Sequence, residues 1–541
     1  MRAPSCFPGP WFRRLASAAA LAGAVLAALP AEAVVTFRRG NSAEPETLDP
    51  GRAGTTWENA IIGDLFEGLT ADDAEAKPIP GAAESWSVSP DGLVWTFKLR
   101  PGLLWSDGAP LTASDFQFAF RRLLDPVTAS KYAFILHGIK NGREINRGKV
   151  PVEALGVRVL DPRTLEITLE GPTPFLPELL KHYAASPIPA HAYKKFGDAW
   201  VKPENMVTNG PYTLADWIPN DHVTLAKNPR YYDAAHVAID QIIYVPLEDT
   251  AGGLTRFRAD GLEAHLGRRS FPPDQRAWLD ENMPGQAHVV PYLANEYLVG
   301  NVRRPPFDDA CVRRAVSLCL DRELLTRNIS RDGSLPADAF VPPNIANYHP
   351  NPRLDFAGRP LSERRAETAR LLNEAGFGPN HPLSFEYKHI ATLVGRRQAI
   401  AVSAMLKDCG IVARLYANES KIYYTALQRA DFEFAWAAWV GDYNDPHTFL
   451  YLLDSRAGVY NYGGYRNPAY DALMDVAQTT LDLEKRAGIL QRAEQIILDD
   501  SAIIPLSFTT HSVLVSPRVR GYADNPANFH RTRWMSLAPE A

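Results

Sequence analysis

Helix and strand patterns take turns along the second half of the chain, and this alternation limits its architecture more than any other feature. RAETARLLNEAGF runs to Gly376 and RQAIAVSAMLKDCG to Gly410, and a glycine at each end is the usual helix stop. IVARLYA follows at once and predicts a strand. Such alternation builds α/β units around partly parallel sheets. The early part of the chain has more strand character. VWTFKLR, from Val94 to Arg100, alternates apolar and polar residues before the turn residues Pro101 and Gly102, and TLEITLEG from Thr164 repeats the device. Between them, LTASDFQFAFRRLLD offers Thr112 or Ser114 as a helix cap, with Asp115 in the first turn and Phe116, Phe120, Leu123 and Leu124 at helical spacing. No short repeat or low-complexity linker interrupts the chain, so its lobes should be joined by ordered crossovers.

The first residues predict export. Arg2, Arg13 and Arg14 precede the apolar run LASAAALAGAVLAAL, and Pro30 and Ala31-Glu32-Ala33 follow it, which is the pattern of a signal peptide cleaved after Ala33. The run is too short to span a bilayer, and Cys6 lies ahead of it, away from where a lipidated cysteine would stand. The Arg13-Arg14 pair also permits a twin-arginine leader. Cleavage removes three of 57 basic and one of 62 acidic residues, leaving 508 residues of formal charge −7. A chain without a basic field is not expected to bind nucleic acid. At this length two to four lobes are expected, and no second apolar run could cross a membrane. Three cysteines survive cleavage, so at least one is free or intermolecular. Cys311 and Cys319, eight apart in RRAVSLCLDRELL, read as buried thiols of a helix rather than a bridge.

Enzyme signatures are missing. The sequence holds no GxSxG, HExxH, CxxC, GxGxxG after a strand, or GxxxxGK[ST]. GREINRGK from Gly142 imitates the last, with the wrong spacing and Val150 where a hydroxyl should follow. The 13 histidines form no spaced ligand set, and no cofactor or metal is implied. Asp308-Asp309 and Asp499-Asp500 read as helix caps or solvated faces. Aromatic residues crowd turn signals in WVGDY, NYHP and YNYGGY, as rings lining a cleft would. AWVGDYNDP sets Asp442 directly after an apolar run. From the residues alone, Asp442 is either a turn cap in a segment rich in turn formers or a charge awaiting a cation.

Longer matches add to this reading. PIPGAAESWSVSPDGLVWTFKLRPGLLWSDGAPLTASDF, from Pro78 to Phe116, strongly resembles the family-5 extracellular solute-binding proteins of bacterial ABC importers. The likeness continues through LDP at Leu48, DLFEGL at Asp64, VTNGPYTLADW at Val207, PPFDDACVRRAVSLCLDRELL at Pro305, ARLLNEAGF at Ala369, GDYNDP at Gly441 and DSAIIPLSF at Asp500. Within the family it is most similar to the periplasmic oligopeptide-binding branch. The resemblance implies an α/β, type II periplasmic-binding-protein fold of three lobes, with the ligand cleft between lobes I and III. Lobe I would comprise residues 34–66, 191–293 and 510–541, lobe II residues 67–190, and lobe III residues 294–509. It further implies a monomeric periplasmic receptor that delivers peptides to the permease subunits of an ABC transporter and performs no chemistry.

By the same resemblance, Asp442 would receive a peptide's α-ammonium, and Trp439, Tyr132 and Thr56 would line the cleft. Relatives carry basic groups for a short peptide's carboxylate where this chain has Gly395 and Trp436. Arg304 is the basic residue left at a third such position, with Arg396 and Arg397 nearby. The cargo could therefore be a longer peptide, a murein peptide, another amine-bearing solute or a metal chelate. A secreted hydrolase or a peptide-holding chaperone is the alternative of a different class.

Overall fold

The structure is a computed structural model and describes residues 34–349 and 351–539. The signal peptide predicted for residues 1–33 lies outside the described residues. The two alternating stretches of the early sequence become neighbours. Val94–Leu99 and Thr164–Thr168 pair antiparallel, Val94 opposite Thr168, in a four-stranded sheet completed by Ala83–Val88 and Val157–Asp161. Trp95, Phe97, Leu99, Leu165 and Ile167 are buried in the core shared with the helix Ala113–Leu124. Thr112 is the cap of that helix: its amide donates to Asp115 Oδ2 at 2.8 Å and its hydroxyl at 3.1 Å. The predicted apolar face, Phe116, Phe120, Leu123 and Leu124, is buried.

A second, eleven-stranded sheet carries the rest of the fold. Its spatial order is Val412–Asn418, Ser384–Ile390, Phe434–Val440, Ala287–Gly300, Ile504–Val515, Ala264–His265, Thr36–Asn41, Gln241–Pro246, His222–Lys227 and Tyr212–Ile218, with Leu335–Pro336 pairing beside Ile504–Val515. Ser384–Ile390 runs parallel to both of its neighbours, as the alternation of helix and strand requires. The helices Leu361–Glu374 and Leu393–Asp408 stop as predicted, with Gly376 at φ +85° and Gly410 at φ +78°, where a side chain would be strained.

Buried side chains collect in two large cores, one around Phe37, Trp105, Phe116 and Tyr212, the other around Tyr297, Phe307, Phe385 and Phe434. The long strand Ile504–Val515 serves both, giving Ile504 and Leu506 to the second core and Val513 and Val515 to the first. Its partner Ala287–Gly300 slips register between Pro291 and Asn295.

The cysteines depart from expectation. Cys319 is not a thiol but forms a disulfide with Cys409, 90 residues on, while Cys311 is free and exposed. Eight residues of helix rotate Cys311 by about 80° from Cys319, which takes it off the buried face. Cys319 and Cys409 cap the C-terminal ends of Ala310–Leu318 and Leu393–Asp408, a tertiary neighbourhood that sequence spacing does not encode. Among the described residues, no helix is long and apolar enough to cross a membrane.

Candidate ligand-binding site

The segment Gly441–His447 leaves the end of strand Phe434–Val440 and is tied down one group at a time. Gly441 donates its amide to Leu293 O at 2.7 Å, and a Cβ there would come within 2.8 Å of Leu293 and 2.9 Å of Thr448, so glycine permits the close approach. The Asp442 amide donates to Thr448 Oγ1 at 3.4 Å. Asn444 Oδ1 accepts the Ala346 amide at 2.9 Å. Asp445, fully buried, accepts two bonds from Arg486, at 2.7 and 2.8 Å, and caps the next turn by accepting the His447 amide at 2.9 Å. The turn-capping role that Asp442 could have held therefore belongs to Asp445. Among the described residues, the Asp442 carboxylate has neither a cation nor a hydrogen-bond donor.

That carboxylate opens into a cavity of about 750 Å³, solvent included, lined also by Thr55, Thr56, Asn59, Tyr132, Glu178, Lys181, His182, Tyr183, Tyr292, Tyr443 and Phe529. Burial pushes the Asp442 carboxyl up to about 7. The hydroxyls of Tyr132, Tyr183, Tyr292 and Tyr443 all lie close enough to feel its charge. Tyr132 is pushed up to about 12, by burial first and by Asp442 second. Its ring lies 4.7 Å from His182 and 5.7 Å from Tyr183. His182 Nδ1 accepts the Ala184 amide at 3.2 Å, and burial pulls the imidazole down to about 3, so the ring is neutral with its proton on Nε2.

Besides Tyr292 and Phe529, three separate parts of the chain meet at this cavity. The first is the helix Thr56–Leu65, whose buried Glu58 accepts the Gly54 and Thr55 amides at 2.7 and 3.0 Å and so fixes Thr55 and Thr56 at its mouth. The second is the stretch from Tyr132 to Tyr183. The third is the segment carrying Asp442, against which Phe175 stacks through Tyr443 at 5.1 Å.

Of the predicted residues, Asp442, Tyr132 and Thr56 share the cavity, while Trp439, Trp436 and Arg304 are not among its lining residues. Trp439 packs on Tyr460 at 5.7 Å and donates Nε1 to Thr448 Oγ1 at 3.2 Å, the same hydroxyl that holds the Asp442 amide. Trp436 lies further back along the strand, its Nε1 buried without a partner. Arg304 donates to the Phe432 and Ala430 carbonyls, beyond the opposite end from Asp442 of a strand that itself spans about 20 Å. Arg396 and Arg397 are exposed in the first turns of Leu393–Asp408. Gly395 beside them is closed to any side chain, since a Cβ would come within 2.6 Å of the Ile390 carbonyl oxygen and side chain. Sequence reading missed Glu178, Lys181, His182, Tyr183, Tyr292, Tyr443 and Phe529. The aromatic crowding of WVGDY marked Tyr443 as part of a cleft without giving it a role, and nothing local distinguishes the others.

Fold and site together define a mixed α/β protein of the type II periplasmic-binding class. Residues 77–461 match the model of bacterial extracellular solute-binding proteins, family 5, and the chain belongs to that family. It is 36% identical over 530 residues to the periplasmic oligopeptide-binding protein OppA of Escherichia coli, covering 97% of this chain and 96% of that one. The unliganded open form of the periplasmic murein tripeptide-binding protein MppA superposes with a TM-score of 0.86 at 33% identity, covering 93% of this chain and 98% of that one. Haemophilus influenzae OppA in complex with RPPGFSPFR superposes with a TM-score of 0.74, also at 33% identity, covering 94% and 99%.

Proposed function

We propose that this protein is a periplasmic receptor that captures peptides by their free amino end and hands them to an ABC importer without chemical change. The observation that carries this reading is the Asp442 carboxylate, left without a partner in an aromatic cavity while every polar neighbour in its segment is bonded internally. A buried unpaired carboxylate is costly, and an arriving ammonium relieves that cost. Tyr132 and Thr56 flank the ammonium. Trp439 acts through Thr448, holding the loop that presents Asp442. Trp436 and Arg304 contribute at most to the far reach of the cleft. Gly395 is closed to a side chain and Arg304 is engaged by carbonyls, so neither position offers a clamp for the ligand's carboxyl end, which favours peptides of varied length held by main-chain bonds.

The lobes are those read from the sequence: 34–66, 191–293 and 510–541 as lobe I, 67–190 as lobe II and 294–509 as lobe III, following a signal peptide at 1–33. The long strand Ile504–Val515, which gives residues to both cores, supports a boundary between lobe III and the rest and serves with its partner Ala287–Gly300 as the hinge, and the higher TM-score against an open form supports an open resting state.

Native mass spectrometry of the protein purified without denaturation tests the reading. A ladder of released masses that sequence as peptides is expected, whereas a single non-peptide mass would overturn the cargo. In the companion titration, Asp442→Asn should weaken binding of a free-amine peptide at least tenfold and leave its weak N-acetylated counterpart unchanged. Equal binding of the free-amine peptide by both proteins would remove Asp442 as the anchor.

A further inference from the structure

A second cavity, of about 330 Å³ with solvent included, adjoins that of Asp442, and Thr56 and Phe529 line both. Three arginines line it, Arg39, Arg268 and Arg531, and among the described residues no acidic side chain does. His530, also in its wall, is neutral, because burial pulls its imidazole well below the ordinary range. Arg531 is already matched by Asp72, at 2.9 and 3.1 Å. The other two arginines are not matched. Arg39 is 2% exposed, yet no described carboxylate pairs with it, and its hydrogen bonds come from Nη1 alone, to the His530 carbonyl at 2.6 Å and the Thr532 hydroxyl at 3.2 Å. That hydroxyl donates to Asp64, which therefore reaches Arg39 only through it. Other buried arginines are closed: Arg122 by Asp49 and Arg486 by Asp445, and Arg313 and Arg322 by carbonyl and hydroxyl oxygens that occupy all three nitrogens. Arg39 keeps Nε and Nη2 unbonded, the edge of a guanidinium that takes a carboxylate through two parallel bonds. Arg268 is exposed, makes no ion pair or side-chain hydrogen bond among the described residues, and lies over the Tyr292 ring at 5.2 Å. Tyr292 lines the Asp442 cavity, and its hydroxyl feels Arg268 and Asp442 in opposite senses.

Resting on the reading that an amino end docks at Asp442, we propose that the cavity of Arg39 and Arg268 receives a carboxylate carried close to that amino end, so that the protein selects ligands bearing both charges. The walls shared through Thr56 and Phe529, and the contact of Arg268 with Tyr292, set the arginines beside the amine anchor rather than at the far reach near Arg304. A carboxylate there takes the open edge of Arg39 and offsets Arg268, whereas a neutral amide brings one acceptor oxygen and no charge, and a buried cation left unmatched is the costly outcome. The net charge of −5 on the chain disfavours acidic ligands at long range, so a preference for them must arise from a local site. An acidic side chain at the first or second position and the terminal carboxylate of a dipeptide supply the same chemistry.

The test titrates the full mature protein calorimetrically with three near-isosteric pairs: Glu-Ala-Ala and Gln-Ala-Ala, Ala-Glu-Ala and Ala-Gln-Ala, and Ala-Ala and its C-terminal amide. Wild type should bind the carboxylate member of at least one pair about tenfold tighter, the size expected for hydrogen bonds to a charged group. The pair that shows it identifies the source of the carboxylate. In Arg39→Gln and in Arg268→Gln that ratio should fall to within about twofold, with thermal unfolding reporting that each variant is folded. Arg268 is exposed, so its variant decides the matter should the Arg39 variant fail to fold. Ratios near one for all three pairs in wild type overturn the proposal, and so does a ratio that survives in folded Arg268→Gln. N-acetylated Ala-Ala-Ala separates this failure from that of the parent reading. If acetylation abolishes the binding of Ala-Ala-Ala while all three ratios are one, the amine anchor stands and the arginine cavity has no role in selection. If acetylation changes nothing, the amine anchor falls and this proposal with it.

Discussion

At the scale of single residues, two energies of similar size meet at Asp442. Holding its carboxyl near 7 instead of 3.8 disfavours the ionised form by about 4 kcal/mol. An ammonium at 4 Å in a medium of effective dielectric near 20 returns about 4 kcal/mol. If an ammonium docks there as proposed, the pair breaks roughly even and would act by orienting the ligand and rejecting blocked amines, with main-chain bonds supplying affinity. The sign of the pH dependence follows. Ligand requires the ionised carboxylate, so below about 7 binding releases a proton and affinity should rise nearly tenfold per pH unit, levelling above 7. A peptide amine loses its own proton near 8, so affinity should fall again beyond that. His182 stays neutral throughout, because its pKa is held at about 3. Titrations from pH 5.5 to 9 should trace this bell, and Asp442→Asn should abolish its acid limb. A flat profile in wild type would mean that the anchor does not titrate. In the absence of ligand the raised carboxyl costs stability as pH climbs from about 4 to 7, so the Asn variant should gain most over wild type at pH 7 and above.

The segment GDYNDP behaves as one element, and its rigidity rests on Asp445 rather than on Asp442. Arg486 reaches Asp445 from the helix Leu483–Asp499, both side chains being at most 1% exposed, and its guanidinium also lies over the Phe175 ring at 5.1 Å. Arg486→Met keeps the volume and strands a buried carboxylate, which should cost about 3–5 kcal/mol in urea unfolding. It should also weaken ligand binding, since the loop presenting Asp442 loses its brace. Paired replacement with Asp445→Asn should restore most of the stability, and failure to do so would mean that the ion pair is not what holds the loop. Much at this scale was legible in the sequence. Alternating strands, the Thr112 cap and the glycine stops at 376 and 410 are written in local periodicity and turn chemistry, and the structure reproduces them. Which of two aspartates three residues apart would be paired was not, because the deciding arginine lies 41 residues away. The Cys319–Cys409 bridge was illegible for the same reason: it depends on a neighbour 90 residues away that long-range packing alone supplies.

Across the whole molecule, the cavity joins parts of the chain that need not move together. Thr56 belongs to the N-terminal helix, Tyr132 and Glu178 to the stretch around the small sheet, and Asp442 to the end of a strand in the large one. A ligand that bonds to all three gains more in a shut arrangement than in an open one, and that difference in affinity is the sole means by which it can shift the equilibrium. The register slip between Pro291 and Asn295 gives the shift a place to occur, since strand hydrogen bonding is already interrupted there. A compact chain of the mature length has a radius of gyration of about 23–24 Å. X-ray scattering of the empty protein should give a larger value, and saturating peptide should move it toward that limit. Asp442→Asn at the same peptide concentration should stay expanded until the concentration is raised to saturate it. Contraction in the variant at full occupancy would show that the anchor governs affinity and the remaining contacts govern closure. If saturating peptide leaves the radius of wild type unchanged while calorimetry records full binding, capture and closure are uncoupled, and the hinge has no part in ligand uptake.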